Sequence, residues 1–416
     1  MTLASLTGFI VLAIAAQTAL WAGIVLLRHR REYASLRTRV RGNSVASSAA
    51  GSTKKPSGWD GFRPFRVERK VYEDKAHTIC SFYLVPGDGA PLPPFQPGQY
   101  LTLQLEVIGP EDGEPRPVTR CYSLSDRPRP EYYRVTVKRV PAPAGCTDVP
   151  PGRISSHLHD GVQEGDQILV KAPSGPFHLR DRGLSPLALA GGGIGITPML
   201  SMVETLLHEG SKREIWLFYG VRDGAEQVMT QRLEELAANH PNLHLLVSYS
   251  RPGEQDIAGP YRRHGRVGID LLRITLPRQV ETFYVCGPPA LMESLVPDLE
   301  AWGIPPDQIH YETFGPASVK RRQRPAVTAP GEPFTVTFAN SGKHLAWDPN
   351  AGSLLEFAEA NGIEVNSGCR SGACGGCQTA VKEGDLDYLQ PPEADVEPGT
   401  CLLCISTPKG DLTLSA

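Results

Sequence analysis

The residues best suited to chemistry lie in Cys369-Arg-Ser-Gly-Ala-Cys374-Gly-Gly-Cys377, with a fourth cysteine, Cys404, in Leu-Leu-Cys-Ile-Ser-Thr-Pro. The spacing C-x4-C-x2-C with a distant fourth Cys suits a [2Fe-2S] cluster. Two irons share two sulfides, and each iron completes a tetrahedron with two thiolates. Gly368, Gly372, Gly375 and Gly376 let the loop wrap closely, with amides free to point at the sulfurs. A second reading joins Cys374 and Cys377 with Cys401 and Cys404 as two C-x2-C units around a structural zinc. It leaves Cys369 and the loop glycines without a purpose, and the gap between the two units is long for a zinc ribbon.

Other stretches could handle phosphates and a flat ring. Arg120-Cys-Tyr-Ser-Leu124 reads as a strand, which puts Arg120, Tyr122 and Leu124 on one face and Ser123 on the other. Arg120 can grip a phosphate bidentately, Tyr122 can lie against a ring, and Ser123 can hydrogen-bond a ring nitrogen. Gly191-Gly-Gly-Ile-Gly-Ile-Thr-Pro198 leads from an apolar strand into a helix, where bare amides and the helix dipole favour phosphate. It does not match G-x-G-x-x-G, because position 196 is Ile. Cys286-Gly-Pro288 ends a later strand, the place where open α/β sheets bind ligands.

These motifs carry a resemblance. The cysteine spacing resembles the plant-type ferredoxins. R-x-Y-S-L at 120–124 resembles the flavin-binding motif of the ferredoxin–NADP reductase family, and the run 152–158 resembles its pyrophosphate loop. G-G-G-I-G-I-T-P, C-G-P and Tyr311-Glu-Thr-Phe-Gly315 resemble that family's nicotinamide-nucleotide loop, nicotinamide-side strand end and closing segment. The resemblance implies flavin contacts at Tyr100, Arg120, Tyr122, Ser123, Leu124, Val137, Lys138, Gly152, Arg153, Ile154 and Ser155, with Phe314 flanking the ring. It implies dinucleotide contacts at Gly191, Gly192, Gly193, Gly195, Thr197, Pro198, Cys286, Gly287 and Pro288, and places Ser123 and Cys286 at hydride transfer. Cys369, Cys374, Cys377 and Cys404 are the cluster ligands it implies. Phe314 and the 152–158 loop favour FAD over FMN. Arg222 is the only cation before Arg232 where a 2′-phosphate would sit, so NADH is favoured over NADPH.

The elements that must position these residues follow a consistent order. Short alternating runs at 78–84, 100–107, 133–139 and 167–171, separated by Gly/Pro turns, indicate an antiparallel β-barrel over 61–182. Apolar strands at 187–190, 214–219, 243–248 and 282–285 alternate with helices at 198–209 and 227–239, indicating a parallel α/β domain over 183–316. A basic, Pro-rich linker at 317–332 leads to 333–416. There a hairpin, a helix at 353–361, the cluster loop and strands at 401–405 and 411–414 give the order of a ferredoxin β-grasp domain. Flavin barrel, nucleotide domain, then ferredoxin is an order similar to oxygenase reductases of the phthalate-dioxygenase and phenylacetyl-CoA-epoxidase type.

Residues 3–27 contain no charge and as a helix would span about 37 Å, enough to cross a bilayer. Arg28, Arg30, Arg31, Arg37, Arg39 and Arg41 follow, which puts the redox domains in the cytoplasm of a single-pass protein. The expected organisation is an anchor at 1–28, a flexible Ser/Ala/Gly-rich tether at 29–60, then the three domains. With 416 residues the chain can hold several cores, and a net charge of −3 gives no sign of a nucleic-acid partner, so none is expected. Nine cysteines show no disulfide framework. The expected activity is a membrane-anchored NAD(P)H-dependent reductase that feeds electrons through flavin and a [2Fe-2S] cluster to a separate, membrane-associated protein acceptor. The alternative is a non-catalytic membrane-bound redox sensor that uses the cluster alone.

Overall fold

The computed structural model describes residues 58–108, 113–142, 151–314, 334–363, 365–372, 374–392 and 394–416. The expected anchor and nearly all of the tether lie outside them, as does the linker. Among the described residues no helix is long and apolar enough to cross a membrane.

The first domain is built from β1 (Arg63–Tyr72), β2 (Ile79–Pro86), β3 (Tyr100–Ile108), β4 (Pro115–Ser123), β5 (Tyr133–Lys138) and β6 (Gln167–Ser174). They pair in the order β4-β3-β6-β1-β2-β5, and every pairing is antiparallel. A bridge between Leu124 and Val135 joins the two outer strands, so the sheet closes on itself. Alternation fills the interior: Phe65 and Val67 of β1 are buried, whereas Arg66 and Glu68 between and beyond them are exposed. Helix α1 (Arg153–Asp160) follows β5 and packs on the barrel, its His159 Nε2 donating to the Val137 carbonyl at 3.0 Å.

The second domain contains β7 (Leu187–Gly192), β8 (Ile215–Val221), β9 (Leu243–Tyr249), β10 (Arg262–His264), β11 (Thr282–Gly287) and β12 (Ile309–Thr313). All pair in parallel, in the order β10-β9-β8-β7-β11-β12. The order reverses between β7 and β11, which makes the carboxyl ends of those two strands the topological switch point. Helices α2 (Ile196–His208), α3 (Thr230–Asn239), α4 (Ile269–Thr275) and α5 (Pro289–Ala301) are the crossovers. Helix α2 is buried from Ile196 to Leu207, far more than the one-sided stripe of a surface helix. It is sandwiched: its inner face covers the sheet, while Ile79, Phe177 and Leu179 of the first domain join the same core. Ser201 Oγ donates to the Asp126 carbonyl at 2.7 Å across that seam.

The third domain comprises β13 (Thr335–Phe338), β14 (Lys343–Ala346), α6 (Leu354–Ala360), β15 (Gln378–Glu383), β16 (Leu386–Tyr388), β17 (Thr400–Leu402), β18 (Ser406–Pro408) and β19 (Leu412–Leu414). Its main sheet runs β14-β13-β19-β15-β17, with the first and last strands parallel neighbours. Ser353 caps α6, its Oγ accepting from the Glu356 amide at 3.3 Å. The strand expected over 401–405 is corrected: β17 stops at Leu402, and Leu403–Ile405 forms a 3-10 turn. That turn pulls Cys404 out of the alternation that would have set it on the opposite face from Cys401.

Candidate functional site

The cluster loop runs between α6 and β15. Cys369 interacts with Cys374 and Cys377 with Cys404, and Cys369 also acts electrostatically on Cys377 and Cys404, so the two thiol couples lie close together. Main-chain amides converge on the sulfurs. Cys369 N and Gly376 N donate to Cys374 Sγ at 3.2 and 3.3 Å, and Ser371 N and Cys374 N to Cys369 Sγ at 3.4 and 3.3 Å. Arg370 sits in the left-handed region at φ 57°, a conformation costly for a residue with a side chain, and its guanidinium is held in a two-point ion pair by Glu359 of α6. Among the described residues no three His, Cys, Asp or Glu converge as a single metal ion requires. Two thiol couples with amides aimed at sulfur instead fit a binuclear cluster, one couple per iron. Cys401, needed for the zinc reading, is fully buried in β17 opposite Thr379, and burial pushes its thiol up to about 12.

At the switch point, the glycine loop and the Cys286-Gly-Pro288 turn touch backbone to backbone. A Cβ on Gly195 would run into the Cys286 carbonyl, one on Gly192 would lie 2.7 Å from Pro288 Cδ, and one on Gly287 would lie 3.0 Å from Gly192 Cα. The glycines therefore permit close approach. Gly195 itself has ordinary right-handed φ and ψ of −64° and −2° and starts α2 with no side-chain cap. Cys286 is fully buried; its neighbours in register are Gly191 on β7 and Glu312 on β12. Ser123, at the end of β4, donates from Oγ to Glu312 Oε2 at 3.2 Å. Burial pushes the Glu312 carboxyl up to about 8, against the lowering pull of the Ser123 hydrogen bond. Burial also holds the Cys286 thiol well above its usual range.

On the barrel, Arg120 Nη1 donates to the carbonyls of Thr119 and Ser367 at 2.8 and 2.7 Å, and no carboxylate pairs with it among the described residues. A cation held only by neutral carbonyls fits an anionic phosphate. Tyr100 is 3% exposed, and its hydroxyl lies by the Cys369 thiol without a partner in hydrogen-bonding geometry. Tyr122 packs against the barrel core, and Leu124 and Val137 lie inside it. Lys138 is ion-paired with Glu226 at 3.4 Å, across to the second domain. Gly152 precedes α1 with no side-chain cap. Arg153 Nη2 reaches the Ile108 carbonyl at 3.1 Å, and Ser155 Oγ turns back to the Gly152 carbonyl at 2.9 Å. Ile154 is in the core, and Phe314 packs against the core of the second domain. Thr197 Oγ1 bonds the Ile194 carbonyl at 2.9 Å, and Pro198 is buried in α2.

Of the expected residues, Ser123, Cys286, Gly287, Pro288 and the glycines of 191–195 thus come together at the switch point, and Arg120 meets the cluster loop, whereas Lys138, Arg153 and Ser155 make their polar contacts elsewhere. Two residues escaped the sequence reading. Glu312 lay within the quoted closing segment, but only its parallel register with Cys286 singles it out. Cys121, to which the sequence reading gave no role, has its sulfur near Cys374 Sγ over Gly368. Strand alternation, which places Cys121 on the face of Ser123, was the available signal.

A family profile described as "Oxidoreductase NAD-binding domain" matches residues 189–296, and one described as "2Fe-2S iron-sulfur cluster binding domain" matches 336–409. The flavohemoprotein of Halalkalibacterium halodurans is 40% identical over 267 residues, covering 64% of this chain and 63% of that protein. The chain therefore spans under two thirds of the length of the curated relatives it matches. The flavohem-like FAD/NAD-binding domain of nitric oxide dioxygenase from Vibrio cholerae is similar at 31% identity and a TM-score of 0.53, covering 61% of this chain and 98% of that one. A cytochrome P450 reductase of Amycolatopsis matches at 27% identity and a TM-score of 0.50, over 65% of this chain and 74% of that one.

Proposed function

Because the chain belongs to the oxidoreductases built on a ferredoxin–NADP-reductase-like flavin and NAD module, here joined to a 2Fe-2S domain, we propose that it is an NADH-dependent reductase serving a separate protein acceptor. The cofactors supply the redox chemistry. A nicotinamide releases two electrons as hydride, a flavin accepts both and releases them singly, and a [2Fe-2S] cluster carries one. The protein's share is positioning and exclusion of water.

The observation that carries this reading is the meeting of both ends of that path on β4. Ser123 touches Glu312 beside Cys286, and Arg120 touches the cluster loop at Ser367. Cys286, neutral and fully buried at the switch point, is suited to shape a dry face for the nicotinamide rather than to attack it. Arg120 would hold flavin phosphate, and the uncapped amides at the start of α1 would take the second phosphate of FAD. Arg222, the cation a 2′-phosphate would need, is ion-paired with Glu226, which Lys138 also approaches; that engagement favours NADH. A sensor needs no hydride path, so the grouping of Ser123, Glu312 and Cys286 at the switch point weighs against the redox-sensor alternative. The acceptor is proposed to be an oxygenase, desaturase or cytochrome at a membrane, with residues 3–27 as the anchor.

Anaerobic rapid mixing with NADH tests the reading. Flavin absorbance should bleach first, and the rhombic EPR signal of a reduced [2Fe-2S] centre should follow. Cys286→Ala should slow the first phase on the order of tenfold or more, about 1.4 kcal/mol in barrier, yet leave photochemical reduction of both centres unchanged. Protein loaded with both centres that NADH cannot reduce would sink the proposal.

A further inference from the structure

The cluster loop is seated on the barrel through contacts that no recognised motif accounts for. Arg120 reaches the Ser367 carbonyl at 2.7 Å, and Lys171 Nζ of β6 reaches the Cys374 carbonyl at 3.1 Å. Both cations hold main-chain oxygens, so they fix the loop's backbone at two points on either side of Gly368. A Cβ built on Gly368 would lie 2.6 Å from Cys374 Sγ and 3.3 Å from Cys121 Sγ. The two sulfurs therefore approach each other over the one residue of the loop that brings no side chain between them. On the other side of Cys121, Thr102 Oγ1 of β3 lies 3.4 Å from its sulfur. Thr102 is 2% exposed and Cys374 is 5% exposed, with Cys121 between them partly buried.

We propose that Cys121 is a positioning residue for the cluster, its S–H donating across the domain junction to the Cys374 sulfur, with the Thr102 hydroxyl setting the thiol's direction. The proposal rests on the reading of Cys374 as a cluster ligand. Cys374 would then have three donors: the amides of Cys369 and Gly376 from its own loop, and the proposed thiol of Cys121, whose sulfur lies near it over Gly368. Reduction adds negative charge that spreads onto the ligating sulfurs. A donor aimed at one of them stabilises the reduced form and raises the cluster's potential. A thiol is a weak donor, so the effect is a modest adjustment superimposed on that of the amides. Its significance is its origin. The donor belongs to the barrel domain, so it is present only while the loop is docked on the barrel. A cluster domain that leaves the barrel to meet an acceptor loses it and becomes more strongly reducing at that moment.

The test uses the full chain as purified, comparing wild type with Cys121→Ala, Cys121→Ser and Thr102→Val. Iron and flavin content are measured alongside, and the readouts are the rhombic EPR g-values and the cluster's midpoint potential by redox titration. Cys121→Ala should shift the midpoint to more negative potential and alter the g-values. Cys121→Ser, which keeps a donor, should restore most of the wild-type midpoint, and Thr102→Val should give a smaller shift of the same sign. Full iron content in Cys121→Ala with wild-type spectrum and midpoint overturns the proposal. Should Cys121→Ala come out without iron, Thr102→Val decides: an unchanged midpoint and unchanged g-values in that variant overturn it equally. Wild-type protein lacking any rhombic signal would instead remove the cluster assignment on which the proposal stands.

Discussion

Glu312 is an acid held among groups that disfavour its charge. It lies beside Cys286 in register and receives one hydrogen bond from Ser123, and burial still dominates, lifting its carboxyl to about 8. Such a raised pKa means the folded chain prefers the protonated form. The stability this provides is fully present below the usual carboxylate range near 4.5 and is lost as pH rises through about 8. Glu312→Gln stays neutral throughout. In urea melts of the full chain the variant should match wild type near pH 5 and gain on the order of 2 kcal/mol relative to it by about pH 9, allowing for solvent access to the side chain. A relative loss by the variant as pH rises would mean that Glu312 works as a stabilised carboxylate. The sequence pointed to Ser123 and Cys286 through their motifs, whereas Glu312 acquires meaning only when β12 is known to lie beside β11. Cys401 and Cys404 show the same limit in reverse. The sequence reading put both on one strand over 401–405, and only the structure shows β17 giving way to a 3-10 turn between them.

Among the elements, the junction of β7 with α2 is the most exacting. Helix propensity alone says Gly195→Ala should gain up to about 1 kcal/mol, because the position is right-handed and opens a helix. Packing says the opposite: the new Cβ meets the Cys286 main-chain carbonyl, and neither β7 nor β11, paired residue for residue, can yield. Overpacking of this kind costs typically 1–3 kcal/mol, more where backbone must move, so the clash wins. Gly195→Ala should be destabilised by about 1–2 kcal/mol net in urea melts and should weaken NADH binding. Gly193→Ala is the control. It has open space around it but a φ of 52°, so it should cost about 1 kcal/mol through strain alone. If Gly195→Ala is the more stable of the two, close approach is not what selects glycine there. The alternation of strands and helices was legible because period-2 and period-3.6 patterns are local. The contact between the glycine loop and the Cys286 turn was not, since it depends on β7 and β11 being neighbours although β8, β9 and β10 intervene in the chain.

At the scale of the molecule, the three domain types and their order could be read from motifs, but not the seating of the cluster loop on β4 and β6, which has no sequence signature. That seating raises a question of geometry, because a cluster docked inside its own chain must still reach an outside acceptor. A membrane acceptor would make the chain's first segment useful in solving it. Residues 3–27 carry no charge, and a random coil of the length of the expected tether, 29–60, reaches roughly 30–35 Å root-mean-square. Confinement at that range raises the effective concentration of any partner in the same membrane without adding a contact. Deleting residues 1–57 should therefore leave NADH:ferricyanide turnover unchanged, since every residue assigned to flavin, nicotinamide and cluster lies later in the chain. The same deletion should move the protein from the membrane pellet to the supernatant and lower electron delivery to the native acceptor by about tenfold or more at matched expression. Full-length protein that stays in the supernatant removes the anchor. A truncated protein that supports the acceptor equally well removes the membrane partner and leaves the reductase itself intact.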